Sequence, residues 1–246
     1  MPNYMSLQTS LQDRDFYLTI EHECAYYNDR QCQNVIPDPN IEMHSDTYEQ
    51  LGVIGFRRSG DHVYRPHCPD CNDCKACRIN IKHFRLSRNL KRCLKQNQQV
   101  SLNAVDAAFT DEYFQLYKKY LNHRHADGSM KDPTADDFKN FLICEWSDTH
   151  FLELREDGQL LAIAVVDKIL NGYSAVYTFF DPDYASRSLG TFAILQEIEY
   201  CRKNHQPYLY LGYWIEQHPK MHYKSRFSSL ELFEHNLWLP FEKKSE

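Results

Sequence analysis

No stretch of this chain approaches the ~20 consecutive apolar residues that a membrane-spanning helix needs, so no transmembrane segment is expected. The first residues, Met1-Pro2-Asn3-Tyr4, lack the basic-then-apolar order of a secretory leader. Internal repeats and low-complexity tracts are also missing, which argues against repeat architectures. Nor is there a general excess of positive charge: 28 Lys and Arg stand against 34 Asp and Glu, a formal net charge of −6. That balance argues against a generally basic nucleic-acid binder. Nine cysteines, an odd number crowded into one short run, do not read as a secreted disulfide framework, and a reducing cytoplasm suits them better. What is present is ordinary for a globular protein. With 246 residues, 42% apolar and 25% charged, the chain can build one large domain or two modest ones.

The most organised stretch runs from 173 to 214. Residues 173–180 (Y-S-A-V-Y-T-F-F) are aromatic and β-branched, as a buried strand should be. Asp181-Pro182-Asp183 ends that strand, since proline has no N–H for a ladder. Ser186 or Ser188 can cap a helix reaching about His205, with Leu189, Phe192, Ile194, Leu195 and Ile198 at largely helical spacing. Pro207 stops the helix, and 208–214 (Y-L-Y-L-G-Y-W) is a second strand, parallel to the first because a helix joins them. The helix mouth, Arg187-Ser188-Leu189-Gly190-Thr191, offers free N–H groups and a dipole that favour an anion.

Upstream, 16–23 alternates like a half-exposed strand, 28–40 reads as loop, 46–53 as a short helix, and 55–65 as a hairpin turning at Ser59-Gly60-Asp61. Residues 79–84 read as a strand and Ser87 caps a basic helix over 88–97. A boundary is expected near 100–111, dividing the chain into 1–105 and 106–246. Beyond it, threonine-capped helices are expected at 110–123 and 134–146, joined by a polar loop containing Gly128. Strands 151–155 and 159–168 meet at Asp157-Gly158, Asn171-Gly172 turns into the next strand, and a last strand falls near 230–234. The fold class is therefore α/β (α+β). Two helices, an antiparallel meander and then strand–helix–strand is the order of an N-acetyltransferase-like (GNAT) domain, behind a smaller cysteine-containing domain.

Three segments carry chemistry. Cys68-Pro-Asp-Cys71-Asn-Asp-Cys74-Lys-Ala-Cys77 repeats C-x-x-C, which points to zinc or an iron–sulfur cluster, with Cys24 or Cys32 able to complete a tetrahedral set. Cys93, Cys144 and Cys201 fall in expected helices and read as packing residues. From Lys75 to Lys95 the chain carries eight cationic residues, including Arg85, Arg88, Arg92 and Lys95, and no Asp or Glu. Beside a metal-site candidate in an acidic protein, that run reads as a polyanion footprint. After the last core strand, Tyr213-Trp214-Ile215 and 220–227, with Lys220, Tyr223, Lys224 and Arg226, leave the C-terminal end of a parallel strand, where open sheets bind ligands. Lysine and tyrosine there can stabilise an oxyanion or hold a carboxylate, or merely pack on the surface.

Seven stretches together resemble one family. They are His22-Glu-Cys-Ala-Tyr26, Gly55-Phe-Arg-Arg-Ser-Gly60 with Tyr64-Arg-Pro-His-Cys68, the cysteine run with its basic helix, Tyr177-Thr-Phe-Phe-Asp-Pro182, Ser188-Leu-Gly190, Tyr210-Leu-Gly-Tyr-Trp-Ile215 and Lys220-Met-His-Tyr-Lys224. In this order they are similar to the arginyl-tRNA–protein transferase family in its short bacterial, leucine-transferring form. Two positions depart from it: Cys77 stands where an apolar or small residue is usual, and Glu23 where proline is common.

The resemblance implies transfer of an aminoacyl group from charged tRNA to the N-terminal amine of a protein beginning with Asp or Glu, marking that protein for degradation. Its partners would be leucyl-tRNA and such acceptor proteins, with no cofactor required for the chemistry. It implies that Arg57, Arg58, Lys224 and Arg226 face the acceptor's acidic side chain, with Lys220 and Tyr223 in the same substrate-binding segment. It places Asp181, Tyr213 and Lys224 at the reacting atoms, Ser188, Leu189 and Gly190 at a phosphate of the tRNA 3′ end, and Arg85, Arg88, Arg92 and Lys95 on the tRNA backbone. Cys24, Cys68, Cys71 and Cys74 would share a metal or cluster, with Cys77 as an alternative ligand. Three alternatives stand beside this reading. One is an arginyl donor. Another is an acetyl-CoA N-acetyltransferase, disfavoured because bulky Phe192 follows Arg187-x-x-Gly190-x. The third is a non-enzymatic metal–nucleic-acid module, which leaves the C-terminal half without a role.

Overall fold

The computed structural model describes residues 15–124 and 131–242. The start of the chain, read above for a leader, and Gly128 of the expected polar loop lie outside the described residues. In chain order come strands β1 (Phe16–Leu18), β2 (His22–Glu23), β3 (Gln31–Cys32) and β4 (Asn34–Pro37), helix α1 (Ser45–Val53), and strands β5 (Arg57–Ser59), β6 (His62–Pro66) and β7 (Lys75–Asn80). Helix α2 (Arg88–Gln96), strand β8 (Ser101–Asp106), and helices α3 (Asp111–Arg124) and α4 (Ala135–Leu142) follow. The meander β9 (Thr149–Glu156), β10 (Gln159–Ile169) and β11 (Gly172–Phe180) leads through a 3-10 turn, Pro182–Arg187, into helix α5 (Leu189–Lys203) and strand β12 (Tyr208–Trp214). A second 3-10 turn, His222–Arg226, precedes β13 (Leu230–Glu234) and β14 (Leu237–Pro240).

These elements make a mixed α/β fold around an eight-stranded sheet ordered β14-β13-β7-β12-β11-β10-β9-β8. A four-stranded sheet, β1-β4-β6-β5, and a two-stranded ribbon, β2-β3, stand beside it. One face of the large sheet takes α2 and α5, burying Leu90, Phe192, Leu195 and Ile198 with Leu152, Ala164 and Leu209. The other face takes α3 and α4 through Tyr117, Leu121 and Phe138, and α1 through Tyr48 and Leu51. Among the described residues no helix is long and apolar enough to cross a membrane.

The meander forms as its turns predict, with one adjustment. Asp157 and Gly158 take the left-handed values that a two-residue hairpin needs (φ 48° and 84°). At the next corner Ile169 pairs with Gly172, so the turn residues are Leu170 and Asn171 rather than Asn171 and Gly172. Gly172 is required for another reason: a Cβ there would stand 2.2 Å from the Tyr208 carbonyl oxygen. That close approach starts the parallel pairing of β11 with β12, which lasts only from Gly172–Ser174 to Tyr208–Tyr210. Beyond it β12 pairs only with β7, and its register shifts between Tyr210 and Tyr213, where Gly212 has φ 73°. The two parallel strands therefore separate after Ser174, and that gap positions the site.

The expected division at 105/106 does not follow the sheet. β7 lies between β12 and β13, and β8, at the expected boundary, is an edge strand beside β9. Residues standing outside the large sheet are those of β1 to β6. β7 was expected four residues later because its sequence (K-A-C-R-I-N) carries charge at a buried position: Arg78 is only 7% exposed. Glu231 (2.7 Å), the Tyr210 hydroxyl (3.1 Å) and the face of Tyr208 (3.5 Å) receive its guanidinium there. The expected 28–40 loop contains β3 and β4, the 16–23 strand is broken into β1 and β2, and the 134–146 helix stops at Leu142.

Candidate active site

A cavity of about 590 Å³ opens where β11 and β12 separate. Ala175, Val176 and Tyr177 of β11, Leu211 of β12 and the first turn of α5 form its walls, and exposed His123, Arg124 and Lys220 stand at its edge. Ser188 sits in the left-handed region (φ 55°) and starts α5 without a side-chain cap bond, its carbonyl taking the Phe192 N–H (3.0 Å). Leu189 is fully buried, and Gly190 passes the Phe180 ring so closely that a Cβ would lie 3.3 Å from it. All three residues line the cavity, as expected for the helix mouth. Arg187 does not serve that mouth: both its terminal nitrogens donate to Glu156 (2.7 and 2.9 Å) and its Nε to Asn97 (3.0 Å).

A second cavity of about 160 Å³ adjoins the first and shares Ala175, Val176, Leu211, Met221 and Lys224 with it. Arg57 on β5 points its guanidinium into this chamber. Its Nη1 donates to the carbonyls of Phe56 (2.5 Å) and Gly52 (3.1 Å), and the guanidinium carbon lies 5.1 Å from the centroid of the Tyr210 ring, but Nε and Nη2 are buried with no hydrogen-bond partner. The buried Ser174 hydroxyl on the facing wall also lacks one. Lys224 completes the set, 5% exposed, its ammonium donating to the Tyr213 carbonyl and to Met221 Sδ. Burial lowers the Lys224 pKa from its ordinary value, and neighbouring Arg57 acts in the same direction. Among the described residues, no Asp or Glu lines this chamber. Two cations and a hydroxyl in a buried space without a carboxylate are suited to hold an anion.

Other expected site residues are engaged elsewhere. Arg58 lines the same chamber, yet its Nε and Nη2 hold Asp167 at 2.6 and 2.8 Å in a fully buried pair. Tyr48 and Thr149 donate to the same carboxylate, so Arg58 is a structural residue and not an acceptor contact. The Tyr213 hydroxyl is directed at the carbonyls of Gly55 (3.0 Å) and Tyr64 (3.1 Å), tying β12 to the β5–β6 hairpin, which leaves no proton for catalysis. Asp181 receives Lys119 Nζ (2.6 Å) and the Asp183 N–H (3.0 Å) and lines neither cavity; its role is to close the turn after β11. Arg226 is exposed and also lines neither cavity, whereas Lys220 and Tyr223 line the larger one.

The basic run divides where β7 ends. Lys75 pairs with Glu234 (3.2 Å) and Arg78 is buried, but Arg85, Arg88, Arg92 and Lys95 are all exposed. Ser87 caps α2 as expected, accepting from the Leu90 N–H (3.4 Å). The far end of α2 touches the larger cavity's entrance: Gln96 and Asn97 donate to the carbonyls of Ser186 (3.1 Å) and Arg187 (3.0 Å). An exposed cationic helix is thus fastened to the turn that leads into α5.

All nine cysteines are free thiols. Cys24, Cys32, Cys68, Cys71 and Cys74 share one surface; burial raises the Cys74 thiol to about 12, and the neighbouring Cys68, Cys71 and Cys24 add to the effect. Cys77 is separate, fully buried in the core of the large sheet. Among the described residues, no three of His, Cys, Asp and Glu are arranged to hold a metal ion as they stand. Cys32 instead meets His22 Nε2 (3.0 Å), and Cys71 receives Arg30 (3.2 Å).

One polar residue of the larger cavity escaped the sequence reading. Glu197 on α5 is 1% exposed, and neither of its oxygens has a hydrogen-bond partner. The available signal was its position: Ile194, Glu197, Ile198 and Cys201 follow the spacing of a buried helix face, where an acid is out of place.

Two adjoining chambers meeting at shared residues can bring two substrates together, the arrangement that a transferase needs. Models of the arginine-tRNA-protein transferase family match the chain twice, the N terminus over residues 22–92 and the C terminus over 112–234. The chain belongs to that family. It is 46% identical over 230 residues to the aspartate/glutamate leucyltransferase of Alcanivorax borkumensis, covering 94% of this chain and 95% of that one. It is 42% identical over 234 residues to the protein of the same name from Saccharophagus degradans, covering 95% and 99%. Among solved structures, L-PGS from Bacillus licheniformis is similar with a TM-score of 0.45 at 8% identity, covering 87% of this chain and 77% of that one.

Proposed function

We propose that this protein is an aminoacyl-tRNA–protein transferase that moves leucine from leucyl-tRNA to the N-terminal amine of proteins beginning with Asp or Glu, marking them for degradation in the cytoplasm. The observation that carries the acceptor side is Arg57, a buried guanidinium whose Nε and Nη2 have no hydrogen-bond partner, beside Lys224 and Ser174. A carboxylate on the acceptor's first side chain satisfies those donors, and an alanine leaves them desolvated and unpaired. On the donor side, the cavity joins an apolar wall (Val176, Ile194, Leu211) to a cationic edge, which suits an aminoacyl group carried on a nucleotide.

The acceptor nitrogen attacks the ester carbonyl carbon, the bond to the ribose oxygen breaks, the amine loses a proton and the ribose hydroxyl gains one. Ester to amide is downhill, so positioning does most of the work. Lys224 lines both chambers, and we assign it to the developing oxyanion charge. The domain order suits a GNAT-like fold for the C-terminal part, with the strand separation holding an aminoacyl ester in place of a thioester. The test supplies purified protein with tRNA charged with leucine or with arginine and with peptides beginning Asp, Glu or Ala. Leucine on the two acidic peptides supports the reading; exclusive use of arginine, or of acetyl-CoA, overturns it.

The tRNA body is assigned to α2. Replacing Arg88 and Arg92 with alanine is expected to weaken binding and to flatten the fall of affinity with salt, because each lost phosphate contact releases fewer counterions. The effect should be similar for tRNAs carrying different amino acids. Unchanged affinity and slope in a filter-binding titration would make α2 a solvated face. The cysteine surface is assigned to a structural zinc or iron–sulfur group drawn together by Cys24, Cys68, Cys71 and Cys74, whose crowding a soft cation relieves. Protein purified without oxygen should then carry zinc or an iron–sulfur absorbance. Active protein with neither would show the group to be unnecessary.

A further inference from the structure

We propose that Glu197 anchors the α-ammonium group of the donor, the carboxylate against which the aminoacyl ester is seated. This deepens the leucine-transfer reading and rests on it. Among the described residues, Glu197 is the one acidic side chain lining the larger cavity. It occupies a helix position whose neighbours Ile194 and Ile198 are apolar and buried, and it gains nothing from the protein in return, since both oxygens lack a partner. A buried carboxyl without a hydrogen bond is costly, so its presence calls for a ligand. Its titratable neighbours offer no compensating charge. Cys201, one turn along α5, and Tyr223, from the 222–226 turn, are both raised by burial and stay neutral. Burial pushes the Glu197 carboxyl itself up to about 8.

The cavity's chemistry, taken from edge to interior, matches one kind of molecule. Arg124 and Lys220 at the exposed edge suit phosphate; Val176, Ile194 and Leu211 suit an aliphatic side chain; Glu197 suits a cation carried close to that side chain. The 3′ end of an aminoacyl-tRNA carries phosphate on one side of its ester and, on the other, a Cα that bears both the side chain and an ammonium group, whereas an acyl-CoA brings no cation to the acyl end.

The test uses two small probes, 3′-deoxy-3′-leucylamido-adenosine and its counterpart lacking only the α-amine, with affinities measured by calorimetry and leucine transfer measured alongside. The wild-type protein should bind the amine-bearing probe about 100-fold more tightly, the order expected when a buried polar group is paired or left unpaired. In Glu197→Gln that gap should shrink to within about 3-fold, mainly by weaker binding of the amine-bearing probe. Equal affinities in the wild type, or a gap that survives in the variant, would overturn the proposal. If transfer proceeds normally while no gap exists, only the anchor is lost and the leucine-transfer reading stands. Thermal unfolding guards against a misfolded variant. Folded Glu197 holds its proton above its unfolded value of 4.5, up to about 8, so wild-type stability falls as pH rises through that window. Glutamine does not titrate, so Glu197→Gln should melt above wild type, with the difference growing from pH 5 to pH 8. A variant that melts below wild type at both pH values would mark Glu197 as a structural residue and end the proposal.

Discussion

Arg57→Gln should abolish most of the preference for an acidic acceptor while leaving the protein folded. The guanidinium of Arg57 spends one nitrogen on two backbone carbonyls and keeps two buried nitrogens, Nε and Nη2, without a hydrogen-bond partner. Lys224 adds a second cation, and among the described residues no carboxylate lines the chamber. An arriving Asp or Glu side chain therefore meets donors that have already lost their water, a setting in which truncating one partner of a charged pair costs about 2–5 kcal/mol. We expect kcat/KM for an Asp-initiated peptide to fall by about 10²–10³-fold, and for an Ala-initiated peptide to change little. Stability should shift by no more than ~1 kcal/mol, because the deleted group was only half satisfied. Peptide kinetics with matched melting curves check this; an unchanged ratio of Asp to Ala would remove Arg57 from the acceptor site.

Its neighbour should behave in the opposite way. Arg58 and Asp167 are fully buried and bonded at 2.6 and 2.8 Å, with Tyr48 and Thr149 closing the remaining acceptor positions. This network joins β5 to the C-terminal end of β10 and so fastens the N-terminal hairpin to the large sheet. Arg58→Ala leaves a buried carboxylate without its partner, which costs about 3–5 kcal/mol. In a chain of this size that lowers the melting temperature by about 6–20 °C. Acceptor preference in the fraction that remains folded should be unchanged. A melting temperature within ~2 °C of wild type would show that the network contributes little.

These two arginines also show how far the sequence can be read. Both stood in one motif, and both were natural candidates for an acidic ligand. Only the position of Asp167, 109 residues away on another strand, separates a structural arginine from a free one. Local chemistry was legible: the Asp157-Gly158 hairpin, the helix cap at Ser87, the strand–turn–helix into Ser188 and the apolar face of α5 could all be seen in the residues. Long-range pairing was not. β7 entered the middle of the sheet with a buried Arg78 that read as part of a basic surface, because Glu231 lies 153 residues further on. Tyr213 read as a reactive phenol because nothing local shows that its hydroxyl meets the Gly55 and Tyr64 carbonyls. Asp181 read as a residue at the reacting atoms for the same reason, its lysine coming from α3.

Two chambers meet at Lys224; the proposed reaction assigns one to the leucyl ester and the other to the acidic N-terminal residue, and depends on both. The most direct measurement is single-turnover transfer from leucyl-tRNA to three peptides differing only in their first residue, Asp, Glu or Ala. Rapid amide formation on the Asp and Glu peptides, with the Ala peptide slower by about 10²-fold or more, is the predicted result. Equal rates on all three, or no transfer from leucyl-tRNA to any of them, would contradict it.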